Sequence, residues 1–186
     1  MYTVISPAKK LNFDLLSNKT KLTEIIFKPE TEKIVKAMKK FSSKDLQNLM
    51  GISTSLADLN QERFKNININ DNSHNKQAIL AFAGDVYSGL DANSLTKEDL
   101  NFSQDSIGIL SGLYGLLRPL DGMQPYRLEM GSKLTLGSSN NLYKYWENKL
   151  TNKIIRLLQK SKTKVLINLA SNEYFNVIKK ENLPFP

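Results

Sequence analysis

Four short apolar segments, separated by much longer stretches with helical spacing, constrain the fold of this chain more than any other feature. The segments consist largely of residues typical of strands and lie at Tyr2–Ile5, Ala78–Phe82, Ile107–Leu110 and Lys164–Leu169. Strands that alternate with helices are joined by crossover connections, which favours parallel pairing. The sequence therefore predicts an α/β fold with a mixed, partly parallel sheet flanked by helices.

Two regions have clear helical patterns. From about Asn141 to Lys160, apolar residues recur every three or four positions and lysines occupy the other face, so Trp146 is predicted to lie in the core. Residues 28–65 are predicted to be helical throughout, with Pro29 in a first turn. Because 186 residues suit one domain, we expect a single domain in which residues 28–65 form a helical subdomain.

The composition excludes several kinds of site. The chain has no Cys and one His, which rules out thiol nucleophiles, disulfides and zinc sites built from Cys and His. His74 lies in a polar, Asn-rich segment and is interpreted as a bystander, so we expect no metal site and no cofactor. There is no run of about 18 apolar residues and no signal-peptide pattern. The sequence therefore predicts a cytoplasmic protein without a membrane partner.

The charge of the chain permits two interpretations. Its 26 Lys and Arg against 18 Asp and Glu give a net charge of +8, and clustered positive charge favours a polyanion such as DNA. However, all but four of the basic residues are Lys and Asn is abundant, which base composition alone would also produce. The charge is uneven, because residues 66–140 carry −3 and residues 141–186 carry +6.

A glycine turn between two helical segments, Leu46–Leu59, resembles a helix-hairpin-helix motif. Gly51 permits a backbone conformation closed to most residues, and Ile52 is predicted to anchor the turn. The N–H groups at the start of the second helix, together with its dipole, would bind a phosphate without reading bases. The alternative is an ordinary helical hairpin. The predicted DNA-binding residues are Lys44, Gly51, Ile52, Ser53, Thr54, Ser55, Arg63 and Lys65.

Small and polar residues follow each apolar segment. If the strands are parallel, these residues meet at the carboxyl edge of one sheet, where α/β proteins bind ligands. A small phosphorylated ligand would suit Arg118 and Arg127, whose planar side chains bind anions with two hydrogen bonds. The alternative is that these arginines form structural pairs with Asp121 and Glu129.

Asp85 and Glu129 are the candidate general acid and base of this pocket. The predicted pocket residues are Ser6, Lys9, Asp85, Tyr87, Ser111, Tyr114, Arg118, Gln124, Tyr126, Arg127, Glu129, Ser171, Asn172 and Glu173.

Five segments, in order along the chain, resemble the YaaA family: Ile5–Lys9, Phe82–Leu90, Leu110–Asp121, Gln124–Gly131 and Asn168–Phe175. The resemblance implies a bacterial cytoplasmic protein of the peroxide-stress response that limits free iron and so oxidative damage. It also implies an α/β fold peculiar to the family, with a positively charged cleft, a helix-hairpin-helix element and DNA binding. Family members usually continue past the last residue of this chain, so the resemblance implies that a C-terminal, strand-rich segment is missing and that a sheet edge is uncovered.

Three hypotheses about function follow. The first is a stress protein that binds duplex or distorted DNA without sequence specificity, through the hairpin and a basic cleft. The second is an enzyme that acts on a nucleotide or a nucleic-acid base in the pocket at the strand ends. The third is that the polar segments only brace the fold. The sequence leaves the oligomeric state open.

Overall fold

The computed structural model of the chain describes residues 1–14 and 21–184. Its strands are β1 (Tyr2–Ile5), β2 (Lys10–Leu11), β3 (Lys76–Gln77), β4 (Phe82–Ala83), β5 (Ile107–Ser111), β6 (Gly115–Leu117), β7 (Gly122–Met123) and β8 (Leu166–Leu169). Its α-helices are α1 (Lys28–Met38), α2 (Ser43–Met50), α3 (Thr54–Asn66), α4 (Ala78–Ala81), α5 (Asp85–Leu90), α6 (Lys97–Ser106), α7 (Leu142–Lys160) and α8 (Asn172–Phe175), and a short 3₁₀ helix spans Lys180–Asn182.

The central sheet has the strand order β6-β5-β1-β8. Strand β1 is parallel to both β5 and β8, whereas β5 and β6 are antiparallel. Ile5 lies opposite Ile109 on one side and Leu169 on the other, so β1 and β8 end at the same level and β5 continues two residues further, to Ser111. The predicted α/β class with a mixed, partly parallel sheet is confirmed. At the β8 edge, Leu169 is 66% exposed.

The predicted strand over Ala78–Phe82 is wrong. Residues Ala78–Ala81 form the short helix α4, and only Phe82–Ala83 are extended. Strand β4 pairs with β2 in a separate two-stranded sheet. All four residues of α4 are buried, and a short run that is apolar on every side has no periodicity to distinguish a helix from a strand.

Helix α7 covers the turn between β5 and β6. Asn141 caps its first turn, as the side chain accepts a hydrogen bond from the Lys144 amide. Trp146 is fully buried, as predicted, and its indole N–H donates to the Gly112 carbonyl at 2.9 Å. Gly115 has a φ of +71°, and a Cβ there would come within 2.7 Å of the Trp146 ring. The turn is therefore shaped around this one side chain.

Residues 28–65 are helical, as predicted, and form α1, α2 and α3. Ser42 and Asp45 form a reciprocal capping box at the start of α2, and Gly51 ends that helix in the left-handed conformation. Ser53 then caps α3. The inner faces of the three helices belong to the same apolar core as the central sheet.

Candidate functional site at the strand ends

The carboxyl ends of the parallel strands lie side by side. Ser6 follows β1 and Ser171 follows β8, and the Ser171 amide donates to the Ser6 hydroxyl oxygen at 2.9 Å. The segment after β4 reaches the same place, because the Tyr87 hydroxyl donates to the Ser6 carbonyl at 2.8 Å. The convergence expected from parallel strands is therefore present for the segments after β1 and β8, whereas the segment after β4 comes from the separate antiparallel pair.

A cavity of about 230 Å³ opens at this edge. One water needs only about 10–15 Å³, so the cavity has room for a small organic molecule. Three parts of the chain form its wall: the segment after β1, the loop that follows β7, and the start of α8. The residues that line it are Ser6, Pro7, Ala8, Lys9, Tyr126, Arg127, Leu128, Glu129, Ser171, Glu173 and Tyr174.

Glu129 is the centre of the charged groups in this cavity. One of its carboxylate oxygens lies 3.2 Å from the Lys9 ammonium and 3.3 Å from Nη2 of Arg127. The Lys9 side chain is 69% exposed, whereas the Arg127 side chain is only 18% exposed. Nε of Arg127 is buried without a hydrogen-bond partner. The predicted Arg127–Glu129 pair is thus present, and it lies in the cavity wall.

The second acidic side chain of the cavity, Glu173, is held by a backbone amide. Its Oε1 accepts a hydrogen bond from the Gly131 amide at 3.2 Å. A Cβ at Gly131 would lie 3.2 Å from the same oxygen, so the absence of a side chain there permits the approach. Glu173 and Glu129 therefore bring two carboxylates to one cavity that also receives two cations.

Tyr126 and Tyr174 supply aromatic surface. The Tyr126 hydroxyl lies 2.6 Å from the Ser111 hydroxyl, which also accepts a hydrogen bond from the Tyr114 amide. Burial raises the pKa of both Tyr126 and Tyr174 well above the ordinary value, so both phenols are neutral at physiological pH. Tyr174 was not among the predicted pocket residues, although it directly follows Glu173 in one of the segments that resemble the YaaA family.

Arg118 lies outside the cavity and forms a structural pair with Asp121, which was the alternative interpretation of this arginine. Its Nη2 and Nε lie 2.8 Å and 3.0 Å from Oδ1 of Asp121, and Nη2 also donates to the Glu24 carbonyl. Asp121 is fully buried, and this burial raises the pKa of its carboxyl despite the Arg118 guanidinium and the Thr23 hydroxyl. Arg118 does not line the cavity.

Gln124 and Tyr114 also lie away from the cavity. The Gln124 side chain donates to the carbonyls of Asn68 and Asp71 and accepts from the Asn68 amide, so it fixes the polar loop after α3. Tyr114 is buried, and its hydroxyl accepts a hydrogen bond from the Gln124 amide. Both side chains brace the loops behind the site.

The remaining predicted pocket residues do not line the cavity. Ser111 lies beneath Tyr126, and Tyr87 supports Ser6 from behind. Asp85 and Asn172 are exposed first residues of α5 and α8. Of the two candidate acid–base residues, the structure therefore brings only Glu129 into the cavity. The enzymatic hypothesis stays a prediction and depends on that residue.

The second predicted site is the turn between α2 and α3. Gly51 has a φ of +62°, and no atom lies within 4 Å of the position a Cβ would take. Ile52 is half-buried against the core, whereas Ser53, Thr54 and Ser55 are exposed. The Thr54 and Ser55 amides belong to the first turn of α3, where helix geometry leaves N–H groups without an intrahelical acceptor.

The basic residues predicted to assist this turn lie at the other end of the hairpin. Lys44 is in the first turn of α2, whereas Arg63 and Lys65 are in the last turn of α3. The Gln61 side chain donates to the Phe41 carbonyl there and ties the two ends together. Arg63 is half-buried, which lowers the pKa of its guanidinium. These basic residues are close to the turn in sequence, but a helix separates each of them from the turn in space.

Two properties concern the chain more widely. Within residues 1–14 and 21–184, no three His, Cys, Asp or Glu side chains are grouped so that they could hold a metal ion. Across the same residues, none of the helices combines the length and the apolar character that crossing a bilayer requires.

Comparison with known proteins gives one consistent match. A family model described as peroxide stress protein YaaA matches residues 1–185. A UPF0246 protein of Crocosphaera subtropica is 45% identical over 186 residues, which is all of this chain and 73% of that protein. UPF0246 proteins of Saccharophagus degradans and Rickettsia peacockii are 45% and 44% identical over 98% and 100% of this chain, and 72% of each relative is covered.

Proposed function

Because this chain belongs to the family of peroxide stress protein YaaA, we propose that it acts in the peroxide-stress response by binding DNA. The contact is made to the phosphate backbone, without reading base sequence, by a helix-hairpin-helix element that consists of α2, the Gly51 turn and α3. A protein that attaches to DNA in this way stays close to the molecule that iron-driven oxidation damages.

The exposed turn at Gly51 is the observation that carries the proposal. The space above Gly51 is empty, so a phosphate oxygen can approach the backbone without meeting a side chain. The amides of Thr54 and Ser55 begin the 13-residue helix α3, whose dipole favours a negative charge at this end. These groups bind any phosphate equally, which is why no sequence preference is expected.

The lysines at the far end of the hairpin supply the electrostatic part of the affinity. Lys44 is the second of the eight residues of α2, so it lies about 10 Å along the helix from the Gly51 turn. Phosphates follow one another along a DNA strand at about 3.4 Å of helix axis, and the hairpin thus spans three or four of them. Lys39 and Lys40, which directly follow α1, and Lys65, in the last turn of α3, are exposed like Lys44.

A glycine substitution tests the turn. Gly51→Asp keeps a residue type that tolerates a positive φ but places a carboxylate where the phosphate would bind. We expect affinity for a short duplex to fall about tenfold or more, the effect of losing one charge-assisted hydrogen bond. Fluorescence anisotropy at several salt concentrations measures this, and each lost phosphate contact reduces the slope of log affinity against log salt by about 0.9.

Gly137→Asp is the matched control. Gly137 also has a positive φ, of +59°, and also has no atom within 4 Å of a Cβ position, but it lies in a different turn. The added charge and the backbone strain are therefore the same. Equal loss of DNA affinity in both variants, or in neither, contradicts the proposal, as does a wild-type protein that binds no duplex at low salt.

A further inference from the structure

The charges of the strand-end cavity indicate the kind of ligand that it accepts. Lys9 and Arg127 supply two positive charges, and Glu129 and Glu173 supply two negative ones. A phosphate or another multiply charged ion would upset this balance and bring like charges close together beside Arg127 and Glu129, whose side chains are mostly buried. The balance favours a ligand without net charge that has both hydrogen-bond donors and acceptors.

Together, Glu129 and Arg127 offer a ligand both hydrogen-bond acceptors and hydrogen-bond donors. A carboxylate accepts up to about four hydrogen bonds, and the two cations approach Glu129 through a single oxygen. Arg127 Nε has no partner at all, and a buried unsatisfied donor is unfavourable. A ligand with an N–H group beside a carbonyl or ring nitrogen would satisfy both residues once the guanidinium turns towards it.

The rest of the wall is suited to a flat, weakly polar molecule. Pro7, Ala8 and Leu128 are apolar, and Tyr126 and Tyr174 are aromatic. Aromatic side chains gain favourable contact energy from heterocyclic rings by stacking, whichever base is present. The Ser6 and Ser171 hydroxyls complete the polar rim.

We propose that the cavity formed by Lys9, Arg127, Glu129 and Tyr174 binds a nucleobase, as an uncharged heterocycle with adjacent donor and acceptor atoms. The base enters either as part of a free nucleoside or as an unpaired base of a nucleic acid. This site is separate from the Gly51 turn, so it does not depend on the proposed backbone contact. The cavity recognises the base, whereas the Gly51 turn contacts phosphate.

Calorimetric titration with the four deoxynucleosides, and separately with inorganic phosphate, tests the proposal. We expect at least one nucleoside to bind with a Kd of about 1 mM or lower, which corresponds to a few good contacts, and phosphate to leave that binding unchanged. Glu129→Gln should weaken nucleoside binding about tenfold or more, because a charged acceptor is replaced by an amide. Arg127→Leu should have a similar effect.

Glu147→Gln is the matched control. Glu147 also contacts two lysines, Lys144 at 3.5 Å and Lys179 at 3.2 Å, and its side chain is similarly buried, but it lies on α7. This variant should bind nucleosides like the wild type, and thermal unfolding shows whether each variant is folded. The Gly51→Asp variant should also bind nucleosides normally, so failure of the hairpin proposal and failure of this one can be told apart.

Competition distinguishes the two sources of the base. A single-stranded oligonucleotide that displaces the nucleoside identifies an unpaired base as the ligand, whereas an abasic oligonucleotide should not displace it. If no oligonucleotide competes, the ligand is a free nucleoside. The proposal is overturned if no nucleoside binds at concentrations up to about 10 mM or if phosphate abolishes binding. It is also overturned if Glu129→Gln and Glu147→Gln have the same affinity for nucleosides.

Discussion

At the residue scale, the two arginines of the loops around β7 have different roles that their sequence neighbours do not reveal. Arg118 precedes Asp121 by three residues and Arg127 precedes Glu129 by two, so either arginine could pair locally or bind a ligand. Burial decides between these roles. Asp121 is completely enclosed and requires its partner, whereas Glu129 is partly exposed at the cavity. Burial depends on elements that are distant in the sequence, so the sequence alone does not distinguish a local ion pair from a ligand-binding arginine.

The structural role of Arg118 predicts a stability effect. Arg118→Met leaves the buried Asp121 carboxylate without its cation, and we expect the free energy of unfolding to fall by about 3 kcal/mol. Arg156→Met provides the comparison, because Arg156 is exposed on α7 and its loss should change stability by less than about 0.5 kcal/mol. Urea denaturation measures both. A nearly neutral Arg118→Met would show that the pair is not structural.

At the element scale, the sequence identified those helices and strands that have a clear period or a clear cap. Helix α7 shows an apolar stripe on a polar background, and the end of α2 is fixed by Gly51, so both were predicted closely. Helix α4 was predicted as a strand because Ala78–Ala81 is apolar on all sides. The pairing of β2 with β4 was also missed, since two-residue strands leave no pattern.

The packing of α7 on the β5–β6 turn predicts the effect of one added methyl group. Gly115→Ala combines a positive φ, which costs about 1–2 kcal/mol, with a clash against Trp146 that adds about 1–3 kcal/mol. Gly89→Ala is the control, because Gly89 lies in α5 with no atom within 4 Å of a Cβ position, so this variant should be as stable as the wild type or more stable by up to about 1 kcal/mol. Denaturation followed by Trp146 fluorescence reports both variants. Equal stability of the two would contradict the packing described for this turn.

At the scale of the whole molecule, several buried tyrosines give the fold an alkaline limit. Burial raises the pKa of Tyr2, Tyr87, Tyr114 and Tyr126, and it raises that of Tyr145 from the ordinary 10.0 to about 12. The folded state therefore holds protons that the unfolded state has already lost. Stability must then fall as pH rises above about 10.

The alkaline limit can be observed directly. We expect phenolate absorbance to appear together with the loss of tertiary structure in a single transition, because these phenols ionise only when the chain opens. Tyr145→Phe should lessen the decrease in stability between about pH 10 and pH 12 by removing one of the shifted groups. Gradual ionisation of all tyrosines near pH 10, with the fold intact, would be the opposite result.

The whole molecule also shows what the sequence could and could not predict of the candidate sites. Parallel strands bring Ser6 and Ser171 together by topology alone, so the strand-end cavity was expected from the order of elements. Which side chains line it depends on how the loops turn, and that separates Glu129 from the exposed Asp85. The length of α2 separates Lys44 from the Gly51 turn. The sequence indicates that length, but Lys44 and Gly51 are close in sequence, and this closeness wrongly suggested that they are also close in space.

The most direct test of the proposed function is amide hydrogen exchange of the protein with and without a short DNA duplex. DNA bound as proposed should protect the amides of Ile52, Ser53, Thr54 and Ser55, and the protection should be the same for duplexes of unrelated sequence. The Gly137 turn should exchange equally in both states. Exchange at residues 52–55 that DNA leaves unchanged, while other regions become protected, would contradict the central claim.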